Sequence, residues 1–452
     1  MKSNAGEWRE ELGAMARLAL PVVLSELGWM MQGVIDTLMV GRLGAVAIGA
    51  VALGNAVYYT TSLIGIGLLL GLDALISQAY GRGDDESCRN WLAQGHYLVL
   101  LLTIPLMMLS GGCGFGLLHM GYEPKMAGQA SSYLLIMTLG TFPLLIYGST
   151  RRFLQSVGQM KWITLTYLAS NLLNWFGNWV LIYGKFGMPA LGVNGSAIST
   201  VVSRFFMAGA LQYFAWRYEH RQGHALFANW PKPDWEKLKQ ILTIGGPAAL
   251  QLLLEMAAWS GLTVIAGWLA PAALAAHQII LNFASITFMV PLGIAQAASV
   301  GVGHAVGAGD AGRARRAGWH ALWLGVGFMS LAGLVIFLFP AQLIGIYTHD
   351  PSVTEAGRDI FWLVAGFEVF DGTQTVMTGV LRGIGSTRFS MVVNLIGYWV
   401  FGLPLGILLA FHYGMGLKGL WIGLTLALVA IAVMLLERWR RLGLHNFVAL
   451  EG

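Results

Sequence analysis

The stretch GLLLGLDALISQAYGRGD, residues 67–84, returns later in the chain as GIAQAASVGVGHAVGAGD, residues 293–310. Gly67, Ala79, Gly81, Gly83 and Asp84 each meet an identical residue. At the same displacement Pro21 meets Pro247 and Gly41 meets Gly267. With one further residue of displacement, Leu154 meets Leu381, Gly158 meets Gly385, Lys161 meets Arg388, Gly187 meets Gly414 and Gly192 meets Gly419. A chain that repeats itself in this way folds as two like halves.

The material repeated is apolar. Of 452 residues 56% are hydrophobic and only 11% charged, where an ordinary soluble domain carries roughly a quarter charged residues. Mean hydropathy is +0.65. The apolar character comes in separate blocks of about 20 residues, each long enough to cross roughly 30 Å of hydrocarbon as a helix and each bounded by Gly, Pro or charge. Twelve such blocks can be read. The expected fold is therefore an all-α integral membrane protein of twelve transmembrane helices in two six-helix bundles. Because six is even, both halves enter from the same side and are related by a pseudo-twofold axis along the membrane normal. The halves are placed at 1–216 and 240–452, joined by the polar segment 217–239, which is read as a cytoplasmic linker. The basic residues gather in alternate loops, for example Arg82 with Arg89, Arg313 with Arg315 and Arg316, and Arg438 with Arg440 and Arg441. By the positive-inside rule both termini are cytoplasmic. The first block, about Ala16 to Val40, is too long for the core of a signal peptide, so the first helix is expected to be kept. The two cysteines, Cys88 and Cys113, point to no disulfide framework.

Within this apolar background, polar side chains recur at helical spacing. Ser25, Trp29, Gln32 and Asp36 share a face of the first span, and Tyr167, Asn171, Asn174 and Asn178 a face of the fifth. Gln251, Glu255 and Trp259 lie on span seven, Gln278, Asn282 and Ser285 on span eight, and Glu368, Asp371, Gln374, Thr375 and Thr378 on span ten. Amides and hydroxyls can serve as glue between helices, at roughly 0.6 kcal/mol per hydrogen bond. Carboxylates differ, since each costs on the order of 3 kcal/mol or more at mid-membrane and marks a functional site by default. That reading falls on Asp36, Glu255 and Asp371. A desolvated carboxylate takes up either a proton or a hard cation such as Na⁺, for which carboxylate, amide and hydroxyl oxygens are suitable partners. A cationic substrate neutralises it as well. Competition between the two for one acidic cavity is a sufficient basis for exchange.

Taken together, several stretches carry a family resemblance over nearly the whole chain. They are PVVLSELGWMMQGVIDTLMVGRLG from Pro21, the GLDALISQAYGRGD segment, Glu255 after Gly245-Gly246-Pro247, and VFDGTQ from Val369 followed by GVLRGIGST from Gly379. On these the sequence resembles the multidrug and toxic compound extrusion (MATE) transporters of the bacterial NorM type. The resemblance implies a monomeric twelve-helix protein of the bacterial inner membrane, surrounded by lipid, that exports organic cations in exchange for inward Na⁺ or H⁺. It implies no enzymatic activity and no cofactor beyond the coupling ion, and the placing of the basic residues in alternate loops argues against a nucleic-acid partner. It also places Asp36, Glu255 and Asp371 as cation-coupling acids, with Glu255 and Asp371 as ligands if the ion is Na⁺. Gln32, Asn174, Asn178, Gln278, Asn282, Glu368, Gln374 and Thr375 would line the cavity. Relatives with a proposed Na⁺ site often carry Tyr one turn before the acid of helix ten, where this chain has Phe367, so the ion stays open.

Other readings are weaker. GVGHAVG, residues 301–307, ends a span rather than a strand and has the wrong spacing for a dinucleotide loop. His220 and His224 lack the further ligands of a zinc site. A flippase for lipid-linked anionic precursors would line its cavity with basic residues, and Arg204 stands almost alone. A membrane-embedded lipid enzyme would carry a His or metal cluster in one span, and none is found.

Overall fold

A pair of Gly-x-Gly-Asp turns sets the local punctuation of the chain. The structure, a computed structural model, describes residues 4–223, 230–443 and 450; His224 lies outside these. Its helices group into twelve long elements: α1 (Asn4–Gly41), α2 (Ala45–Gly81), α3 (Asp85–Leu117), α4 (Pro124–Thr138 and, after a 48° bend, Thr141–Ser156), α5 (Met160–Tyr183) and α6 (Val193–Arg221). Then follow α7 (Trp235–Ala266), α8 (Pro271–Gly307), α9 (Ala311–Leu338), α10 (Pro351–Gly383), α11 (Thr387–His412) and α12 (Gly416–Arg441). Eight of these are individually long and apolar enough to cross a bilayer, and the bent α4 makes a ninth. The all-helical, twelve-helix architecture expected from the repeat is the one found.

The repeated Gly-x-Gly-Asp has a direct backbone meaning. Gly83 and Gly309 hold φ at 73° and 72°, a left-handed conformation that glycine adopts without strain, and each ends a helix. The aspartate that follows opens the next one: Asp84 accepts from the Ser87 amide at 2.9 Å and Asp310 from the Arg313 amide at 2.8 Å. Four residues of sequence thus stop one span and start another in both halves.

The chain divides into two compact units, Met1–Glu26 with Leu250–Glu451, and Leu27–Ala249. The divisions fall inside α1 and α7, whereas the sequence placed its boundary in the 217–239 linker. Side chains account for this. In the second unit, Gln94 of α3 holds the chain entering α7 by both ends of its amide, donating to the Lys232 carbonyl and accepting from the Asp234 amide, each at 2.9 Å. Tyr97 adds a bond to the Pro231 carbonyl, and Gly67 packs directly on Ala249. In the first unit, Glu11 of α1 pairs with Arg316 of α9 at 3.0 Å, and Gly293 of α8 lies against Val23.

Helix contact within each unit depends on small residues, as expected where lipid supplies no hydrophobic drive. In the first unit Gly379 and Gly383 of α10 lie against the Ala295 and Ser299 carbonyls of α8. In the other, Tyr58, Tyr133, Leu134, Met137 and Ile182 form a core between α2, α4 and α5.

Candidate functional site

Each unit carries a buried acid group. In the unit Leu27–Ala249, Asp36 of α1 is 4% exposed. Its Oδ1 accepts from Asn178 Nδ2 at 2.6 Å and its Oδ2 from the Thr200 hydroxyl at 3.1 Å. Asn178 Nδ2 also reaches Asn174 Oδ1 at 3.3 Å, and Asn174 Nδ2 reaches Thr200 at 3.3 Å. The spacing of four residues that puts Asn174 and Asn178 on one face of α5 is what allows both to meet α1 and α6. Arg204, one turn beyond Thr200, makes no ion-pair contact among the described residues, although it acts electrostatically on Asp36; its guanidinium lies 4.4 Å from the centre of the Tyr58 ring. Gln32, one turn before Asp36, is buried with its Nε2 making no hydrogen bond among the described residues.

In the other unit, α7 and α10 bring Glu255 and Glu368 into electrostatic range of Asp371. Glu368 is fully buried and Asp371 5% exposed. Gln374, one turn along α10 from Asp371, donates from Nε2 to Glu255 Oε1 at 3.2 Å and to Asn394 Oδ1 of α11 at 2.9 Å. Its Oε1 accepts from the Tyr398 hydroxyl at 2.8 Å. Gln251 donates to Thr378 at 3.5 Å. Neither oxygen of Glu368 has a hydrogen-bond partner among the described residues, and the adjacent Thr287 hydroxyl is engaged by carbonyls of its own helix. Thr375 is buried on the same helix.

Tyr398 lies in a π-helical stretch of α11, Ile396–Gly402. Pro404 just beyond it has no N–H to continue the regular ladder, and a widened turn is the usual adjustment at such a point. Phe367, which stands where relatives often carry Tyr, packs edge-on against Trp259 and Trp421 at 5.7 and 5.6 Å. The hydroxyl near these acids comes instead from Tyr398.

A contrast between acids follows. Asp73, buried in α2, lies 3.4 Å from Arg152 Nη1, and Glu219 lies 3.2 Å from Arg89. Asp36, Glu255, Glu368 and Asp371 form no such pair among the described residues; their partners are amides, hydroxyls or each other. Glu26 accepts from Gln296 at 3.1 Å. No group of three or more His, Cys, Asp or Glu among the described residues is placed to share a metal ion, so oxygen ligands for a small cation would be two carboxylates with neutral groups.

Gln278 and Asn282, expected in the cavity, lie on an exposed face of α8, and Asn282 donates to the Gln278 carbonyl at 2.9 Å. Thr200, Asn394 and Tyr398 were absent from the sequence expectation. The spacing was there to be seen, since Thr200 precedes Arg204 by four and Asn394 precedes Tyr398 by four, but neither pair is flanked by an acid.

Comparison with known proteins follows the same division of the chain. The MatE family model matches residues 21–180 and 247–408. A "Multidrug resistance protein NorM" of Burkholderia vietnamiensis is 36% identical over 436 residues, 94% of this chain and 92% of that protein. A "Probable multidrug resistance protein NorM" of Mesorhizobium japonicum is 36% identical over 441 residues, 96% of this chain and 94% of that one. Among solved structures, the eukaryotic MATE transporter AtDTX14 superposes with a TM-score of 0.87 at 24% identity, covering 97% of this chain and 98% of its own.

Proposed function

Since the chain belongs to the MatE family, we propose that it is a secondary active antiporter of the bacterial inner membrane that exports organic cations in exchange for inward Na⁺ or H⁺. Asp36, Glu255 and Asp371 are its cation-coupling acids, and both termini are cytoplasmic. The observation that carries this reading is the contrast between the paired Asp73 and the unpaired four. An acid already neutralised by a buried arginine has nothing to offer a passing cation. Among the described residues Asp36 and Glu255 accept from neutral amides or a hydroxyl, Asp371 faces Glu255 and Glu368, and Arg204 acts on Asp36 without an ion-pair contact, so their charge remains available to a proton, a sodium ion or a substrate cation in turn. If Na⁺ is the ion, Glu255 and Asp371 supply carboxylate oxygens, with the rings of Trp259 and Phe367 one turn along their helices and packed against Trp421. When the small cation is held the acids no longer attract the organic one, and its release restores them. Exchange requires that the occupied and empty forms favour different accessibilities.

The experiment uses proteoliposomes loaded with ethidium, with a Na⁺ gradient and a pH gradient imposed separately. One gradient drives efflux, and Asp371→Asn and Glu255→Gln abolish the driven component while the protein still folds. Driven efflux at the wild-type rate in Asp371→Asn would remove that acid from coupling.

A further inference from the structure

The hydrogen bonds around Glu255 have a direction that can be traced to one backbone group. The Ser390 carbonyl can only accept, so the Asn394 amide nitrogen, 2.8 Å from it, must face it. Asn394 therefore turns its Oδ1 towards Gln374, and Gln374 must answer with its NH₂ end. That same nitrogen reaches Glu255 Oε1, and the amide oxygen is left facing Tyr398, whose hydroxyl donates to it. Gln374, Asn394 and Tyr398 are 1%, 0% and 0% exposed, so bulk water does not relax the order.

We propose that Asn394 and Tyr398 are positioning residues that hold Gln374 as a resident neutral donor on Glu255, in competition with the cation this site takes. The proposal rests on the reading of Glu255 as part of a cation site. A cation that takes both oxygens of Glu255, Na⁺ or an organic ammonium, meets at Oε1 the NH₂ of Gln374, whose hydrogens repel it. Gln374 has to turn its amide over or withdraw. Either movement gives up the bond from Tyr398 and the bond to Asn394. The relay therefore weakens retention of the cation, which favours release over trapping in a transport cycle.

A simpler role for Tyr398, as a direct oxygen ligand replacing the hydroxyl absent at Phe367, predicts the opposite sign, so one measurement separates the two. Equilibrium binding of radioactive sodium and of ethidium is measured separately on the purified full-length protein, for wild type, Tyr398→Phe, Asn394→Leu and Glu255→Gln. For whichever cation depends on Glu255, the half-saturating concentration falls roughly fivefold in Tyr398→Phe and in Asn394→Leu, because about one neutral hydrogen bond need no longer be broken. Tyr398→Phe removes one oxygen and keeps the ring, so it stands as the test if Asn394→Leu fails to fold. An unchanged or higher half-saturating concentration in Tyr398→Phe overturns the relay while leaving the site intact. Binding of both cations that survives Glu255→Gln overturns the cation-site reading, and the relay with it.

Discussion

Arg152→Met is the substitution that best separates an acid held in an ion pair from the acids proposed to serve transport. Arg152 Nη1 lies 3.4 Å from Asp73 Oδ2, with 6% and 0% of the two side chains exposed. Removing the guanidinium takes a cation from a buried carboxylate, and breaking such a pair from one side costs about 3–5 kcal/mol. For a unit of this size about 2–4 °C of melting temperature corresponds to each kcal/mol, so Tm is expected to fall by roughly 6–20 °C. The double substitution Asp73→Leu with Arg152→Met removes both charges and recovers most of that loss. Asp371→Asn breaks no ion pair and relieves the mutual repulsion with Glu255 and Glu368, so its Tm stays at or above wild type while driven efflux is lost. Thermal unfolding of the detergent-solubilised protein, followed by tryptophan fluorescence, gives the comparison. The reasoning is refuted if Arg152→Met stays within about 2 °C of wild type, or if Asp371→Asn is destabilised as strongly as Arg152→Met.

Two further outcomes are expected. Gly379→Ala would drive a Cβ into the Ala295 backbone on the neighbouring helix, which cannot rotate away as a side chain would, and is expected to cost about 1–3 kcal/mol. Gly209→Ala meets open space and should be neutral or slightly stabilising, so equal losses of Tm in the two would contradict the packing described. The Asp84 cap gives a pH dependence: the Ser87 hydroxyl, then its amide, hold the Asp84 carboxyl below its ordinary value of 3.8. A depressed acid contributes stability above its unfolded value, and that contribution is lost as pH falls through the folded one. Asp84→Ala should therefore lower stability at neutral pH by about 1 kcal/mol, with the gap to wild type closing as the medium is acidified below 3.8.

Much of the architecture could be read from the chain without coordinates, because a bilayer imposes long uninterrupted apolar helices and a duplication leaves its register in glycines and prolines. The acids could be read for the same reason: a carboxylate in an apolar run is costly and conspicuous. Their partners could not. Thr200, Asn394 and Tyr398 are common residues in apolar helices, and nothing local announces their bonds to other helices rather than bonds back to their own helix, which Asn282 and Ser285 make and Asn394 makes as well.

From residues alone came the twelve spans and the acids Asp36, Glu255 and Asp371, which rest on composition and period within a single helix, and the two halves, which rest on the register of the internal repeat. Only the folded chain decided that Asp73 is neutralised by Arg152 while Asp371 is not, that the units divide inside α1 and α7, and that a carbonyl at Ser390 orients the amide facing Glu255. Those facts depend on distances of a few ångströms between residues far apart in sequence, and helical periodicity carries no information about which distant face a side chain will meet.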